Sequence, residues 1–134
     1  MWPPHARRRI ALAGLLVALI VALSSCAATV RFGDPTHSCS PGFYPANDLG
    51  SISAQQRGPG RGIQWGVYPT VSGIRYVVDV YINRRRVDHK EQDYPPHGSV
   101  NARDIRTGDI FRLEGQATNG AGDVAWFYLT CRAA

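Results

Sequence analysis

The sequence IFRLEGQATNGAGDVAWFYLTC, residues 110–131, consists of two alternating runs on either side of a glycine-rich turn. Alternation with a period of two is typical of a β-strand that buries one face. The buried faces would carry Phe111, Leu113, Gly115 and Ala117 in the first run, and Ala125, Phe127, Leu129 and Cys131 in the second. Between the runs, Asn119-Gly120 and Gly122-Asp123 accept a positive φ at little cost, as hairpin turns require. The stretch therefore predicts an antiparallel hairpin whose last strand carries a core-facing cysteine.

Other short runs of the same type precede the hairpin. Residues 74–83 alternate between an apolar and a mixed face, and residues 63–68 form a run that ends at Pro69, because proline cannot donate a hydrogen bond to a central ladder. Residues 51–53 are a further strand candidate. Tandem prolines make residues 94–98 a loop, which we expect to cross between two sheets. Together these features predict an all-β fold, a small immunoglobulin-like antiparallel β-sandwich.

The segment before the first of these long runs has a different composition. Residues 27–62 are rich in Gly, Pro, Ser and Asn and have no sustained period of 2 or 3.6, which is typical of irregular structure. We therefore interpret residues 26–38 as a flexible tether and residues 39–134 as the sandwich domain.

The first residues have the composition of a targeting segment. Arg7, Arg8 and Arg9 form a basic patch, and an uninterrupted apolar run follows over residues 10–23. As a helix, these 14 residues would reach about 21 Å, whereas the hydrocarbon core of a bilayer is about 30 Å thick. A basic patch, a short apolar run and small residues before a processing site are the parts of a signal peptide. We therefore interpret residues 1–25 as a helical signal peptide.

The residues that end this segment, Leu23-Ser24-Ser25-Cys26, resemble the lipobox of bacterial lipoproteins. The resemblance implies that Cys26 is acylated, with palmitate-type chains, and becomes the mature N-terminus at the outer face of the cytoplasmic membrane. An alternative is that the segment stays uncut and continues through Val30 as a single N-terminal membrane helix. In both cases the basic patch stays inside and the rest of the chain is exported.

The three cysteines fit this interpretation. Lipidation of Cys26 leaves Cys39 and Cys131 as a pair in a compartment that permits oxidation. We predict that these two form a disulfide that closes the domain. The alternatives are separate buried thiols or metal ligands, but no Cys-x-x-Cys or clustered Cys/His spacing accompanies them.

The charge of the chain gives no sign of a nucleic acid partner. The net charge is +5, but three of the 15 basic residues lie in the basic patch, which leaves 12 basic against 10 acidic residues after it. The exported part is therefore nearly balanced, at +2. A nucleic-acid-binding domain is expected to carry a stronger basic excess.

The sequence contains no motif of a reaction centre. It lacks a Gly-x-Ser-x-Gly elbow, a His-Glu-x-x-His motif, a phosphate loop and a dinucleotide-binding fingerprint, so we predict no enzymatic activity and no cofactor. Residues that could gather around a divalent metal are His37, His89, His97, Asp88, Glu91 and Asp93. We interpret the densest part of this set, residues 88–97, as a solvated, charge-balanced connection, and we predict no metal site.

Two groups of residues are candidates for a binding surface. Tyr81, Trp126 and Tyr128 alternate with the core positions of their runs, so they would face outward as an aromatic patch. The basic turn Arg84-Arg85-Arg86 could meet anionic headgroups or acidic polymers of the envelope.

The plan of a short hydrophobic N-terminus followed by a small β domain that ends in a cysteine-bearing strand is similar to the MmpS family of envelope transport-accessory proteins, although this chain departs from that family in its lipobox. We expect a membrane-anchored, non-enzymatic binding or interaction module with a protein partner in the envelope. The alternatives are a phage or prophage lipoprotein of superinfection exclusion and a small-ligand or metal-binding protein.

Overall fold

The computed structural model describes residues 28–40, 46–47, 50–69 and 75–134. In these residues the chain forms nine strands and one short 3-10 turn, Ala102–Asp104, between the seventh and eighth strands. The strands are β1 (Ala28–Ser38), β2 (Ala46–Asn47), β3 (Gly50–Gln56), β4 (Ile63–Pro69), β5 (Arg75–Ile82), β6 (Arg85–Gln92), β7 (His97–Val100), β8 (Ile110–Thr118) and β9 (Val124–Arg132).

The strands form two sheets that pack face to face. The large sheet has the order β1-β9-β8-β5-β6 and the small sheet the order β2-β3-β4-β7. Neighbouring strands are antiparallel except for β1 and β9, which are parallel. The predicted all-β sandwich is therefore confirmed. The predicted loop at residues 94–98 crosses between the sheets, but it is shorter than predicted, because β7 begins at His97.

The core lies between the sheets and follows the alternation of the sequence. In β8 the buried positions are Phe111, Leu113, Gly115 and Ala117, and in β9 they include Phe127, Leu129 and Cys131. The predicted hairpin is confirmed, with Leu113 paired with Leu129. Its turn is held by Asn119, whose Oδ1 accepts hydrogen bonds from the backbone N–H groups of Ala121 (3.0 Å) and Asp123 (2.9 Å). Gly122 supplies the left-handed residue, with a φ of +85°.

The structure differs from the predicted tether at the start of the chain. Residues 28–38, part of the segment interpreted as a tether over residues 26–38, form strand β1 along the free edge of β9. An unpaired edge leaves a row of backbone N–H and C=O groups without partners, and β1 supplies those partners. The sequence shows no regular alternation here, because the hydrogen-bonded ladder of β1 is irregular between Gly33 and Ser38. Gly33 has a φ of +64° at the start of this irregular part.

One other strand is longer than the sequence pattern indicates, and another is absent from that pattern. β3 extends the candidate at residues 51–53 over Gly50–Gln56. β6 occupies Arg85–Gln92, a polar segment for which the sequence pattern predicts no strand, because it lies at an edge of the sheet and none of its positions is fully buried. Strands at the edges of sheets commonly carry many polar residues and few apolar ones.

The predicted disulfide between Cys39 and Cys131 is confirmed, and both half-cystines are fully buried. It joins the end of β1 to the end of β9, since Cys39 directly follows β1 and its N–H donates to the carbonyl of Arg132 at 2.9 Å. The disulfide encloses most of the domain, with a sequence separation of 92 residues.

The sandwich has two ends, which the register of the strands defines. At the N-terminal end lie the start of β1, the turn at residues 119–123 and the connection at residues 93–96. At the other, here named the distal end, lie the loop at residues 57–62, the turn at residues 83–84 and the loop at residues 101–109. The disulfide is close to the distal end, because β9 finishes there and β1 runs parallel to it.

Candidate functional site

The three aromatic residues of the predicted surface all lie on the outer face of the large sheet. Cross-strand pairing aligns Tyr128 with Glu114, and Tyr81 with Arg112. Trp126 is the exposed member of the group, with 37% of its surface accessible, whereas Tyr81 and Tyr128 are half-buried.

Arginine side chains cover the two tyrosines. The guanidinium of Arg112 lies 4.4 Å from the centre of the Tyr81 ring, and that of Arg31 lies 4.6 Å from the centre of the Tyr128 ring. Arg112 also lies 3.2 Å from the carboxylate of Glu114. A cation over an aromatic face within about 6 Å is attracted by the ring quadrupole. Around the tyrosines the outer face is therefore a mixed charged surface and not the open aromatic patch that the alternation suggests.

An ion-pair cluster continues this face across β5 and β6. The two ring nitrogens of His89 contact carboxylates on either side: Nδ1 lies 2.7 Å from Asp79 and Nε2 lies 3.3 Å from Glu91. Arg86 pairs with Asp79 at 3.3 Å, and Arg75 pairs with Glu91 at 3.0 Å. The hydrogen bond to Asp79 raises the pKa of His89, because it favours the charged imidazolium.

The other groups considered for a metal site do not join this cluster. His37 contacts Asp34 at 3.3 Å, and Asp88 contacts Lys90 at 3.8 Å. In the part of the chain that the structure describes, no three His, Cys, Asp or Glu side chains are arranged to hold a metal ion.

The predicted basic turn is divided between two surfaces. Arg86 belongs to the outer face of the large sheet, where it pairs with Asp79. Arg84 and Arg85 instead line a concave site at the distal end, with Arg103 and Arg106 of the loop at residues 101–109. This site, the first concavity, has a volume of about 620 Å³ and is completed by Ile82, Asn83, Asp104 and Asp109.

The fold holds the walls of the first concavity in place through Asn83 and Asp109. Asn83 has a φ of +55° in the tight turn between β5 and β6, a conformation that asparagine tolerates better than most residues. Its Oδ1 accepts a hydrogen bond from the N–H of Ile110 at 3.0 Å, and its Nδ2 donates to Asp109 at 3.2 Å. Asp109 also accepts from the N–H of Arg106 at 2.9 Å. The Asp109 carboxylate is thus bound to the two segments that carry the arginines.

A second concavity of about 500 Å³ lies on the other side of the 3-10 turn Ala102–Asp104. It is lined by Arg57 and Arg61 together with uncharged polar residues, among them Gln64, Ser99 and Asn101. The loop that carries its arginines is fixed by the buried Gln56, whose Nε2 donates to the carbonyl of Arg61 at 2.9 Å.

The two concavities are lined by six arginines from three separate segments of the sequence: Arg57, Arg61, Arg84, Arg85, Arg103 and Arg106. Among the described residues, no carboxylate lies within ion-pair distance (4.0 Å) of any of these guanidinium groups. Four of the six are absent from the sequence-based surface. These four arginines lie in loops that connect strands at the distal end, and a prediction of which loops share that end would have identified them.

The N-terminal end has a different surface. Among the residues that the structure describes, the large hydrophobic side chains with the greatest exposure are Tyr94 (65%), Tyr68 (51%) and Trp126 (37%). Tyr68 is the penultimate residue of β4, Tyr94 lies in the connection at residues 93–96, and Trp126 pairs with the second residue of β1. All three therefore lie toward the end at which the described chain begins.

No known protein family, curated protein or solved structure gives a significant match to this chain. In the residues that the structure describes, no helix has the length and apolar character needed to cross a membrane. The signal peptide prediction and Cys26 lie outside the described residues.

Proposed function

We propose that the protein is a lipoprotein of the bacterial cell envelope, anchored through Cys26, and that its sandwich is a non-enzymatic binding module. The observation that carries the proposal is the position of β1. This strand begins at Ala28, two residues after Cys26, and it starts at the end of the sandwich opposite the unpaired arginines. An anchor at Cys26 therefore implies a definite orientation of the domain.

That orientation follows from lengths along the chain. Two residues of extended chain span about 7 Å, so a lipid on Cys26 holds the N-terminal end of the sandwich close to the bilayer. β9 has nine residues between the two ends, and such a strand is about 30 Å long. The distal arginines would then point away from the anchoring membrane, toward other components of the envelope and not toward the headgroups of that membrane.

The exposed aromatic residues support the same orientation. Tyr and Trp side chains favour the boundary between the headgroups and the acyl chains, because one part of each ring system is apolar and another part is polar. Tyr68, Tyr94 and Trp126 lie toward the end that the anchor would hold near this boundary.

The disulfide supports export. Disulfides persist in oxidising compartments outside the cytoplasm and are rare inside it, and Cys39 and Cys131 join the first and last strands of the large sheet. A small domain that works outside the cell gains resistance to unfolding from such a cross-link.

Photo-crosslinking in living cells tests this function. A photoreactive amino acid is placed in turn at Arg85, Tyr81 and Trp126 of the full-length protein. We expect Arg85 to capture one reproducible envelope component, Trp126 to capture membrane lipid, and Tyr81 to capture little because Arg112 covers its ring. Capture of lipid from Arg85, or of cytoplasmic components from every position, would contradict the proposal.

A further inference from the structure

We propose that the distal end is a binding site for an anionic polymer that carries phosphodiester groups along its chain. The ligand would lie across the first and second concavities and contact arginines in both. The inference rests on the proposed function in one respect: export places the polymer in the cell envelope.

The first argument is the contrast between two sets of arginines. On the outer face of the large sheet four arginines have a partner within the protein: Arg31 and Arg112 lie over tyrosine rings, and Arg75 and Arg86 pair with carboxylates. The six arginines of the distal end have neither kind of partner among the described residues. All six residues are exposed to solvent, and an anionic ligand would supply the partners that they lack.

The second argument is that hydrogen bonds hold in place the backbone of the segments that carry three of these arginines. Asp109 is bound to the segments that carry Arg84 and Arg106, and Gln56 is bound to the backbone of Arg61. Rigid supports reduce the entropy that binding would otherwise lose. Among the described residues, Asp104 is the other carboxylate that lines the first concavity.

The third argument concerns the kind of anion. A guanidinium presents its N–H donors as a planar fork that matches two oxygens of a phosphate group. The first concavity carries four arginines, and the second carries two on the other side of the 3-10 turn. A single phosphate would reach one of these sites, whereas a chain with regularly spaced phosphates contacts both. Concave walls also favour a chain over the flat surface of a membrane.

The test is a binding measurement on the full-length lipoprotein in neutral detergent. The probes are a synthetic glycerol phosphate oligomer and the corresponding monomer, and affinity is measured by calorimetry at low and at physiological salt. We expect the oligomer to bind far more tightly than the monomer, with an affinity that falls as salt rises because counterions are displaced.

Two double variants with the same loss of charge separate a defined site from general attraction. Arg85→Gln with Arg103→Gln removes two unpaired arginines from the first concavity. Arg75→Gln with Arg86→Gln removes two paired arginines from the outer face. We expect the Arg85/Arg103 variant to lower the affinity about tenfold or more, since charge-assisted hydrogen bonds are lost. We expect the Arg75/Arg86 variant to lower the affinity less than about threefold, since only long-range attraction changes. Asp104→Asn is expected to raise the affinity.

Several results would overturn the inference. Equal losses in the two double variants would mean non-specific attraction. Equal binding of monomer and oligomer would mean that no polymer spans the two concavities. Tighter binding of polyglutamate would indicate an acidic protein, tighter binding of single-stranded DNA would indicate nucleic acid, and binding of anionic vesicles through Arg85 and Arg103 would indicate a second membrane.

The Cys26→Ser variant separates this inference from the proposed function. It lacks the acylation site, so its mass and its membrane association report on the anchor alone. If the wild-type protein proves not to be acylated but still binds the oligomer through Arg85 and Arg103, the anchor fails and the distal site stands. If the wild-type protein is acylated and does not bind the oligomer, the distal site fails and the anchor stands.

Discussion

Substitution of Gln56 by Leu is expected to lower the free energy of unfolding by about 2–4 kcal/mol, because two backbone groups lose their partners near the distal end. Gln56 is a fully buried polar residue. Its Nε2 donates to the carbonyl of Arg61 at 2.9 Å, and its Oε1 accepts from the N–H of Ala134 at 2.7 Å. A fully buried backbone group left without a hydrogen bond costs about 1–3 kcal/mol. Because these two contacts are part-buried, we take about 1–2 kcal/mol for each, and leucine fills the space of glutamine but offers neither a donor nor an acceptor.

Urea unfolding, followed by the fluorescence of the buried Trp65, measures this change. Gln64→Leu is the matched control, because it makes the same substitution at an exposed position of β4. This control should change the free energy of unfolding by less than about 0.5 kcal/mol. Amide exchange should also become faster in the loop at residues 57–62, because the hydrogen bond between Gln56 and the carbonyl of Arg61 is lost. A Gln56→Leu protein as stable as the Gln64→Leu control would refute the assignment of a structural role to these two hydrogen bonds.

Three further predictions concern the cross-link, pH and the membrane. Replacing Cys39 and Cys131 together by Ala should destabilise the domain by about 4–5 kcal/mol, as expected on the chain-entropy model for so long a loop; an unchanged urea midpoint would count against it. Because its hydrogen bond to Asp79 raises the pKa of His89 above 6.5, the contribution of this contact is present below pH 6.5 and should be lost as pH rises through the raised pKa. In His89→Gln this pH dependence of unfolding should disappear, and an identical pH profile would exclude the contact as its source. In proteoliposomes with brominated lipids, Trp126 fluorescence should be quenched and the buried tryptophan of β4 should not, with Trp126→Phe abolishing the quenching; unquenched Trp126 would contradict the proposed orientation.

The parts of the fold that could be predicted are those in which one strand face is buried in the core. β5 and the hairpin of β8 and β9 have regular apolar alternation, because each contributes a full inner face to the sandwich. β1 and β6 are the edges of the large sheet, and edge strands are stabilised by backbone pairing more than by burial. Backbone pairing does not require a particular pattern of side chains, so the sequence pattern does not indicate β1 and β6.

The candidate surfaces show the same division. Alternation was sufficient to assign Tyr81 and Tyr128 to the outer face of the large sheet, since that assignment needs only the period of a strand. It could not indicate that Arg112 and Arg31 cover their rings, because those contacts depend on the register between different strands. The distal arginines depend on topology in the same way: Arg57 and Arg103 lie at the same end of the sandwich only because β3, β4 and β7 place their loops there.

The proposed orientation of the domain depends on the anchor at Cys26, and the intact mass of the protein extracted from membranes with detergent tests that anchor most directly. The expected mass is that of a chain that begins at Cys26 and carries acyl groups, and Cys26→Ala should remove the modification. An unmodified chain that still includes residues 1–25 would contradict the lipid anchor.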